Sequence, residues 1–456
     1  MNQKVKRIWV YSALCFMLLC FFILARSDSH APLDDVWSYA GAFETGNISD
    51  WHSSLFMYEG YFFLRIIRIF WEDAAGMDVI KIFYILSQIC TAICLSYMLK
   101  KLSDHDYFYS ILGVLLGIFF IVCQQTRLYL CYNYYIDCYF MAWLLIAITV
   151  PLLLPSKEPH LKALLWLILV IALIHIFHLR KNAILLVPVI LPYAICISSK
   201  SSTSRLIKAI VFAFLISVPL FATNYCLPAK HTHSTLPMLA SNLKDASLLR
   251  GEGKEEQAFL AQLGIGYDTV NDDDVIGPLF FCKTNNLNEE RWDKLVCHYK
   301  NEWIDNFPSM AAAKTIEIFQ FMTYAYLSSA AREFICSYFP ACSPNGREWN
   351  WTLPTAFVKK YPAWERLAIY FITLLSTIYA VSAIRKNGYN IALAISIICG
   401  LSALVYILSF IPVTPTPDAR YHSPSVLLCL ISISCSLIYI CLESRNKNQT
   451  IKARET

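Results

Sequence analysis

Long apolar runs, each about the length needed to cross a bilayer, recur along most of the chain. A transmembrane helix needs roughly 20 predominantly apolar residues. The sequence predicts ten spans, at residues 8–25, 79–99, 108–124, 138–154, 162–178, 182–198, 208–226, 365–384, 390–411 and 424–442. Charged residues make up only 16% of the 456 residues, against about 25% in soluble domains. The expected fold is an all-α polytopic membrane protein with about ten transmembrane helices.

Short clusters of Lys and Arg between the apolar runs set the expected orientation. Cytoplasmic loops of membrane proteins carry an excess of these residues. In the ten-span arrangement one side receives the clusters at residues 4–7, 100–101, 200–208, 385–386 and 445–454. Both termini are therefore predicted to be cytoplasmic. The first apolar run is longer than the 7–15 residues of a signal-peptide core, so we expect a retained anchor rather than a cleaved signal.

The loop lengths divide the sequence into three regions. Residues 1–226 are predicted to form an N-terminal transmembrane catalytic module of seven spans, with its first outer loop at residues 26–78. Residues 227–364 form a large extracytoplasmic loop region, and residues 365–456 a C-terminal module of three spans with a cytoplasmic tail.

The first outer loop contains an aromatic-rich run, Ser54–Trp71, in which Arg65 and Arg68 lie about one helical turn apart. Aromatic and basic side chains together are typical of a helix that lies in the membrane interface. The loop is therefore expected to contain interfacial helices.

Charge and cysteine content argue against a nucleic-acid-binding protein and against a small domain built on a disulfide framework. A net charge of +5 is too small to indicate nucleic-acid binding, and most of the 17 cysteines lie within apolar spans, where cysteine acts as a small hydrophobic residue. Among the others, Cys336 with Cys342, or Cys282 with Cys297, could pair in an oxidising compartment. No cysteine or histidine spacing indicates a structural zinc site.

An acidic pair, Asp34–Asp35, follows the first span directly and is close to Trp37. Carboxylates at a membrane surface suit a general base for an acceptor, or ligands for a divalent cation such as Mg or Mn. A solvated cap outside a membrane helix is the alternative interpretation. Two further candidates are Asp137, where the chain re-enters the membrane, and His52 in Asp50–Trp51–His52. Either could instead be an ordinary residue of the interface.

Cations on the predicted outer side form a second group. Arg180 and Lys181 stand in a short outer turn, against the positive-inside trend, and Arg420–Tyr421 precede the last span. An anionic ligand would explain both positions. Snorkelling of the side chains to lipid headgroups is the alternative.

Taken in order along the chain, these segments resemble the GT-C superfamily of membrane glycosyltransferases, which includes the protein O-mannosyltransferases and the lipid A aminoarabinose transferases. The resemblance rests on the acidic pair, on Gly46–His52, and on the segments 135–137, 179–183 and 418–421. Gly46–His52 is similar to the pattern G-x-x-S-D-W-H-P-P of bacterial members. Ser53 and Ser54 stand where that pattern has proline.

The resemblance implies an inverting transfer of a sugar from a polyprenyl-phosphate carrier to a cell-surface glycan or glycolipid. The reaction would take place on the extracytoplasmic face of the bacterial inner (cytoplasmic) membrane. Asp35 would be the general base. Asp137 would orient the acceptor or, with Asp34, hold a divalent cation. The residues that would bind substrate are His52, Arg180, Lys181, Arg420, Tyr421 and Trp37. Of these, Arg180, Lys181 and Arg420 would contact the lipid phosphate.

Two alternatives from other classes remain. A transporter or flippase for lipid-linked glycans is suggested by the many spans and isolated cations, although transporters usually have two related halves and mid-span ionisable residues. An O-antigen-type polymerase is also polytopic, with a large outer loop. A lost sugar would indicate the transferase, and shortened chains of normal composition the polymerase.

Overall fold

The computed structural model describes the chain in segments. They are residues 34–48, 54–102, 136–155, 158–198, 211, 236–267, 282–284, 287–323, 364–411 and 419–455. The predicted spans 8–25 and 108–124, and nearly all of span 208–226, lie outside these residues.

The described chain is predominantly helical, in agreement with the sequence. Its helices, in chain order, are α1 (Asp34–Thr45), α2 (Ser54–Ile67), α3 (Gly76–Leu102), α4 (Ile136–Thr149), α5 (Pro159–Leu179), α6 (Val187–Ser198), α7 (Leu236–Arg250), α8 (Gly253–Gln262), α9 (Glu289–Asp305), α10 (Phe307–Thr323), α11 (Trp364–Asn387), α12 (Ile391–Leu408) and α13 (Ala419–Glu455). A short antiparallel pair of strands, β1 (Ile265–Tyr267) and β2 (Cys282–Thr284), is also present, with Ile265 opposite Thr284.

Five helices among the described residues are long and apolar enough to cross a membrane. They are Gly76–Leu95, Pro159–Leu179, Arg366–Asn387, Ile391–Leu408 and Pro424–Cys441. Each coincides with a predicted span. The expectation of a helical fold with membrane-length apolar helices is thereby confirmed for the described residues, whereas the total of ten spans stays a prediction.

Two further predicted spans form shorter apolar helices, and proline accounts for their geometry. After α4 the chain continues as a 3₁₀ helix, Val150–Leu153, that has Pro151 near its start. After α5 it forms a second 3₁₀ helix, Lys181–Leu186, which ends just before Pro188, the second residue of α6. Proline removes a backbone donor and crowds the preceding turn, so it interrupts a regular α-helix.

The chain forms two compact units. The first, here called the membrane unit, comprises residues 1–231, 369–409 and 419–456; the second, here called the loop unit, comprises residues 232–368 and 410–418. The polar central region of the sequence thus has a compact fold of its own.

In the membrane unit the segment predicted to be the first outer loop packs on the membrane-length helices through aromatic and charged contacts. Tyr39 of α1 and Phe56 of α2 meet edge to face, with ring centroids 5.8 Å apart. The Glu44 carboxylate accepts hydrogen bonds from the Arg68 guanidinium and, at 2.5 Å, from the backbone N–H of Gly76. These contacts fix α1 and α2 at the beginning of α3.

Four contacts show that α3 and α4 begin where α5 and α12 end. The Tyr139 hydroxyl donates to the carbonyl of Ile80 (2.9 Å), and the Asn182 amide donates to the Ser409 hydroxyl (2.7 Å). The Phe140 and Tyr406 rings stack with their centroids 4.8 Å apart, and the ring centroids of Phe56 and Tyr139 are 4.6 Å apart. We call this end of the membrane unit, marked by Ile80, Tyr139 and Ser409, the α2 end.

In the loop unit, α7 is the central helix. Leu243, Leu260 and Leu295 join it to α8 and α9 in one apolar cluster, and a second cluster joins it to α10. The Tyr299 hydroxyl donates to the Asn242 side chain (3.0 Å), whose amide in turn donates to the buried Glu317 carboxylate. Burial raises the pKa of Glu317 above its usual range.

Small and hydroxyl-bearing residues bring α11, α12 and α13 close together. Ser396 of α12 is 2.8 Å from the Ser436 hydroxyl of α13, which is also 2.9 Å from that of Ser376 on α11. A Cβ atom at Gly400 would overlap the Thr377 hydroxyl and lie 2.8 Å from the Ser432 hydroxyl. Small residues at helix contacts allow such close approach in membranes.

Replacing Gly400 by Ala is therefore expected to destabilise the membrane unit. The added methyl forces α11 and α13 away from α12, and overpacking of this kind costs about 1–3 kcal/mol. A thermal-unfolding assay of the detergent-solubilised protein should show a lower midpoint. The matched control is Gly41→Ala on α1, where no atom lies within 4 Å of the added Cβ. Equal midpoints for wild type and Gly400→Ala would contradict the close packing.

Candidate functional site

The residues predicted for catalysis lie at helix termini of the membrane unit. Asp34 and Asp35 are the first two residues of α1, and Asp137 is the second residue of α4. Arg420 and Tyr421 occupy the first turn of α13. The side chains of these five residues, and the whole of His52, lie outside the described part of the structure.

Three other predicted residues are described with their side chains. Trp37 on α1 is 57% exposed. Arg180 ends α5: its extended backbone (φ −144°, ψ 100°) stops the helix while its N–H still donates to the carbonyl of Ile176 at 3.1 Å. Lys181 is exposed and begins the 3₁₀ helix that follows.

The helices that carry these residues meet at the α2 end. Helix α1 reaches it through the Tyr39–Phe56 contact, and α4 through Phe56–Tyr139. The turn after α5 reaches it through Asn182. Helix α12 ends there, and α13 begins beside it, where the Ser425 hydroxyl donates to the Ala403 carbonyl at 3.1 Å. The structure thus groups these helices, while the roles of the individual side chains stay predictions.

A cavity of about 310 Å³ opens among α2, α3, α4 and α5 near this end. Its walls are mostly aliphatic and aromatic, and the polar groups that line it include Glu59 on α2 and His175 and His178 on α5. Clefts of this size and character are typical of ligand sites.

Glu59 and His175 form the main polar contact of the cavity. The His175 Nε2 atom lies 2.7 Å from Glu59 Oε1, and its Nδ1 atom lies 2.8 Å from the backbone carbonyl of Ile171. A carbonyl oxygen only accepts, so Nδ1 must carry a proton. A further proton must lie between Nε2 and the carboxylate, since two acceptors do not bond to each other. The pair therefore shares one proton that either partner can hold.

Two neighbours define the surroundings of this pair. The Trp143 indole stacks on the His175 ring, with centroids 4.0 Å apart and planes at 20°. Such a stack favours a positively charged ring. His178, three residues further along α5, is buried beside Phe177, with ring centroids 5.3 Å apart. Residues three apart lie on the same helix face, so both histidines border one cavity.

Sequence reasoning missed Glu59, Trp143 and His175. Glu59 stood within the predicted interfacial run, and its partner is 116 residues away, so no local pattern could reveal the pair. One signal was present: the apolar helix α5 contains His175 and His178 near its C-terminal end. Ionisable residues inside a membrane span are costly and usually functional.

Metal and disulfide predictions have limited support here. Within the described residues, no group of three or more His, Cys, Asp or Glu side chains is arranged to hold a metal ion; the predicted pair Asp34–Asp35 lies outside that search. Cys297 is a free thiol, so the pairing with Cys282 is not formed. Cys336 and Cys342 lie outside the described residues.

The loop unit contains a second titratable pair. The His298 Nε2 atom lies 3.0 Å from the Glu256 carboxylate, and the imidazole packs on Phe259 at 4.2 Å. The hydrogen bond to Glu256 raises the pKa of His298, although partial burial and the nearby Arg250 oppose the shift. The Glu302 carboxylate contributes in the same direction as Glu256. The pair links α9 to α8.

No family model matches the chain, and neither the curated proteins nor the solved structures include a significant match.

The raised pKa of His298 predicts a pH dependence of the loop unit. A group whose pKa is raised by folding stabilises the fold fully below its unfolded pKa, here about 6.5, and loses that contribution as pH rises through the folded pKa. Hydrogen-exchange protection factors for residues 289–305 should therefore fall as pH rises from 6 to 8. The fall should be about fivefold at most, because a partly exposed pair contributes only ~1 kcal/mol.

His298→Gln should flatten this profile. His160→Gln, which changes an exposed histidine of α5, should leave it intact and serves as the control. A profile that keeps its slope in His298→Gln would exclude the Glu256–His298 pair as its cause.

Proposed function

We propose that the protein is an integral-membrane inverting glycosyltransferase. It moves a sugar from a polyprenyl-phosphate carrier to a cell-surface glycan or glycolipid on the extracytoplasmic face of a bacterial inner membrane. The observation that carries the proposal is a grouping of helices: α1 packs at the α2 end, and α4, α5 and α13 each have there the terminus that carries a predicted site residue.

The sequence resemblance and this grouping support each other. The motif segments are up to several hundred residues apart in sequence, and nothing in their order alone requires that they meet. A membrane transferase needs its base and its phosphate-binding cations at one face of the bilayer. The grouping of these helices meets that requirement.

The proposed reaction proceeds by a single displacement. The Asp35 carboxylate takes the proton of the acceptor hydroxyl, and the hydroxyl oxygen attacks the anomeric carbon. The bond between that carbon and the phosphate oxygen breaks, and its electron pair leaves with the polyprenyl phosphate. Arg180, Lys181 and Arg420 stabilise the leaving phosphate through charged hydrogen bonds. His52 and Tyr421 contribute to substrate binding, and Trp37 offers an exposed ring for a sugar face.

A divalent cation is part of the proposal but not a required step. Carboxylate oxygens are the ligands that Mg prefers, and Asp34 with Asp137 would supply them. A bound Mg or Mn ion would add positive charge near the lipid phosphate.

The proposed topology has ten spans, with both termini in the cytoplasm and residues 227–364 outside. Helices α3, α4 and α13 then run inward from the α2 end, and α5 and α12 run outward to it. The opposite directions of α3 and α4 relative to α5 and α12 support this topology.

A transporter or flippase for lipid-linked glycans is the second candidate. One observation favours it: His175 and His178 lie within an apolar helix and border a cavity, as ionisable residues of transporters often do. An O-antigen-type polymerase has no comparable support from the described residues.

Asp35→Asn is expected to abolish transfer, because loss of a general base lowers rates by about 10²–10⁴-fold. The test is mass analysis of surface glycans from a deletion strain that carries wild-type or variant protein at matched levels. The deletion should remove one defined sugar, and only wild type should restore it. Asp73→Asn, an exposed carboxylate outside the motif segments, is the matched control and should restore it fully.

Other outcomes of the same experiment contradict the proposal. Equal rescue by Asp35→Asn would exclude this carboxylate as the base. Shortened chains of normal composition in the deletion strain would indicate a polymerase. Accumulation of a complete lipid-linked glycan inside the cell would indicate a transporter.

A further inference from the structure

We propose that the cavity among α2, α3, α4 and α5 is a lipid-binding site. It takes the apolar chain of a membrane lipid and contacts a hydroxyl group at the end of that chain through the Glu59–His175 pair. The inference goes beyond the proposed transfer reaction: no residue assigned above to transfer is among the described residues that line the cavity.

The walls of the cavity select for an apolar occupant. Phe83 and Leu86 of α3, Ala142 and Ile146 of α4, and Leu55 of α2 line most of it. An apolar cavity of about 150 Å³ holds a benzene molecule, so a volume of about 310 Å³ has room for roughly twelve non-hydrogen atoms. This volume matches a short length of hydrocarbon chain.

The cavity borders surfaces that a membrane would cover. Leu86 lines it and is also 49% exposed, and the outward faces of α3 and α5 present Ile93, Leu164 and Leu167. Exposed apolar side chains on membrane-length helices face lipid rather than water. A chain from the surrounding bilayer can therefore reach the cavity beside Leu86 without passing through water.

The Glu59–His175 pair determines which end group fits. His175 uses its Nδ1–H on the Ile171 carbonyl and its Nε2 on Glu59. A carboxylate has about four lone-pair sites, and the side chain of Glu59 is 39% exposed, so it can accept one more hydrogen bond. A hydroxyl group supplies that donor.

Charge and hydrogen-bond satisfaction argue against anionic and sugar end groups. The pair is neutral as a whole because it shares its proton, and an anionic phosphate or carboxylate would meet the negative edge of Glu59. A sugar would bring several hydroxyls into a mostly apolar space. The Tyr139 hydroxyl, which lines the cavity, already donates its proton to the Ile80 carbonyl. Hydroxyls buried without partners each cost about 1–3 kcal/mol. A lipid with a single hydroxyl fits best.

The test uses the purified full-length protein in lipid nanodiscs with three photoreactive probes. The probes share a chain of about twelve carbons, in line with the room estimated above, and end in a hydroxyl, a carboxylate or a phosphate. After irradiation, peptide mass analysis locates the label. The hydroxyl probe should label peptides of α3, α4 and α5 at the cavity, and the two anionic probes should label them at least tenfold less.

Variants then test separately whether the probe occupies the cavity and whether its hydroxyl contacts Glu59. Ala142→Leu fills the cavity and should reduce labelling by the hydroxyl probe at least tenfold. If that variant does not fold, Ser87→Leu on α3 narrows the same cavity. Glu59→Gln should weaken labelling about tenfold, because hydrogen bonds to charged groups contribute more than neutral ones. Leu167→Phe, on the lipid-facing side of α5 and outside the cavity lining, is the control and should have no effect.

Several results would overturn the inference. Unchanged labelling in both Ala142→Leu and Ser87→Leu would place the probe on the outer surface. Equal or stronger labelling by the phosphate or carboxylate probe would refute the assigned end group. Labelling does not depend on transfer, so Asp35→Asn should label as wild type even where it restores no sugar. The two proposals can therefore fail separately.

Discussion

The contact between Glu59 and His175 is the interaction on which the arrangement of the membrane unit depends most. A titratable ring within an apolar helix is unfavourable in lipid unless a partner satisfies it. The carboxylate on α2 provides that partner, and α2 is thereby held against α5. Because α2 also packs on α1 and α4 through Phe56, this pair and the Phe56 ring both help to connect the predicted outer loop to the membrane-length helices.

The same requirement explains the other polar contacts between the helices. Water is absent from the hydrocarbon region, so polar side chains there must bond to each other. Tyr139 bonds to a backbone carbonyl of α3, Asn182 bonds to Ser409, and Ser396 bonds to Ser436. Each bond joins residues at least 40 positions apart in sequence. Together they fix which helix ends meet, and so which motif segments share one end.

Hydropathy and length predicted the spans within a few residues where a helix is uninterrupted. Span 162–178 corresponds to α5 (Pro159–Leu179), and span 390–411 to α12 (Ile391–Leu408). The predicted span 138–154 is less regular, because Pro151 converts its last turn to a 3₁₀ helix.

The candidate site was predictable only in part. Local motifs drew attention to Asp35 and Arg180, but the Glu59–His175 pair arises from tertiary packing across 116 residues. The loop unit was hidden for a related reason: α7 is buried along most of its length although it contains Asn242, Lys244 and Asp245. In the sequence, those polar residues make α7 resemble an exposed helix. Only the fold shows that they are buried with partners.

The account requires above all that the α2 end faces the outside of the cell. The most direct measurement is cysteine labelling of intact cells with a membrane-impermeant maleimide, corrected for the unsubstituted protein. Asp73→Cys, in the turn before α3, and His160→Cys, at the opposite end of α5, are both at exposed positions. The account predicts that only Asp73→Cys reacts in intact cells and that His160→Cys reacts after permeabilisation. The reverse pattern would place the cavity and the motif termini on the cytoplasmic side and contradict the account.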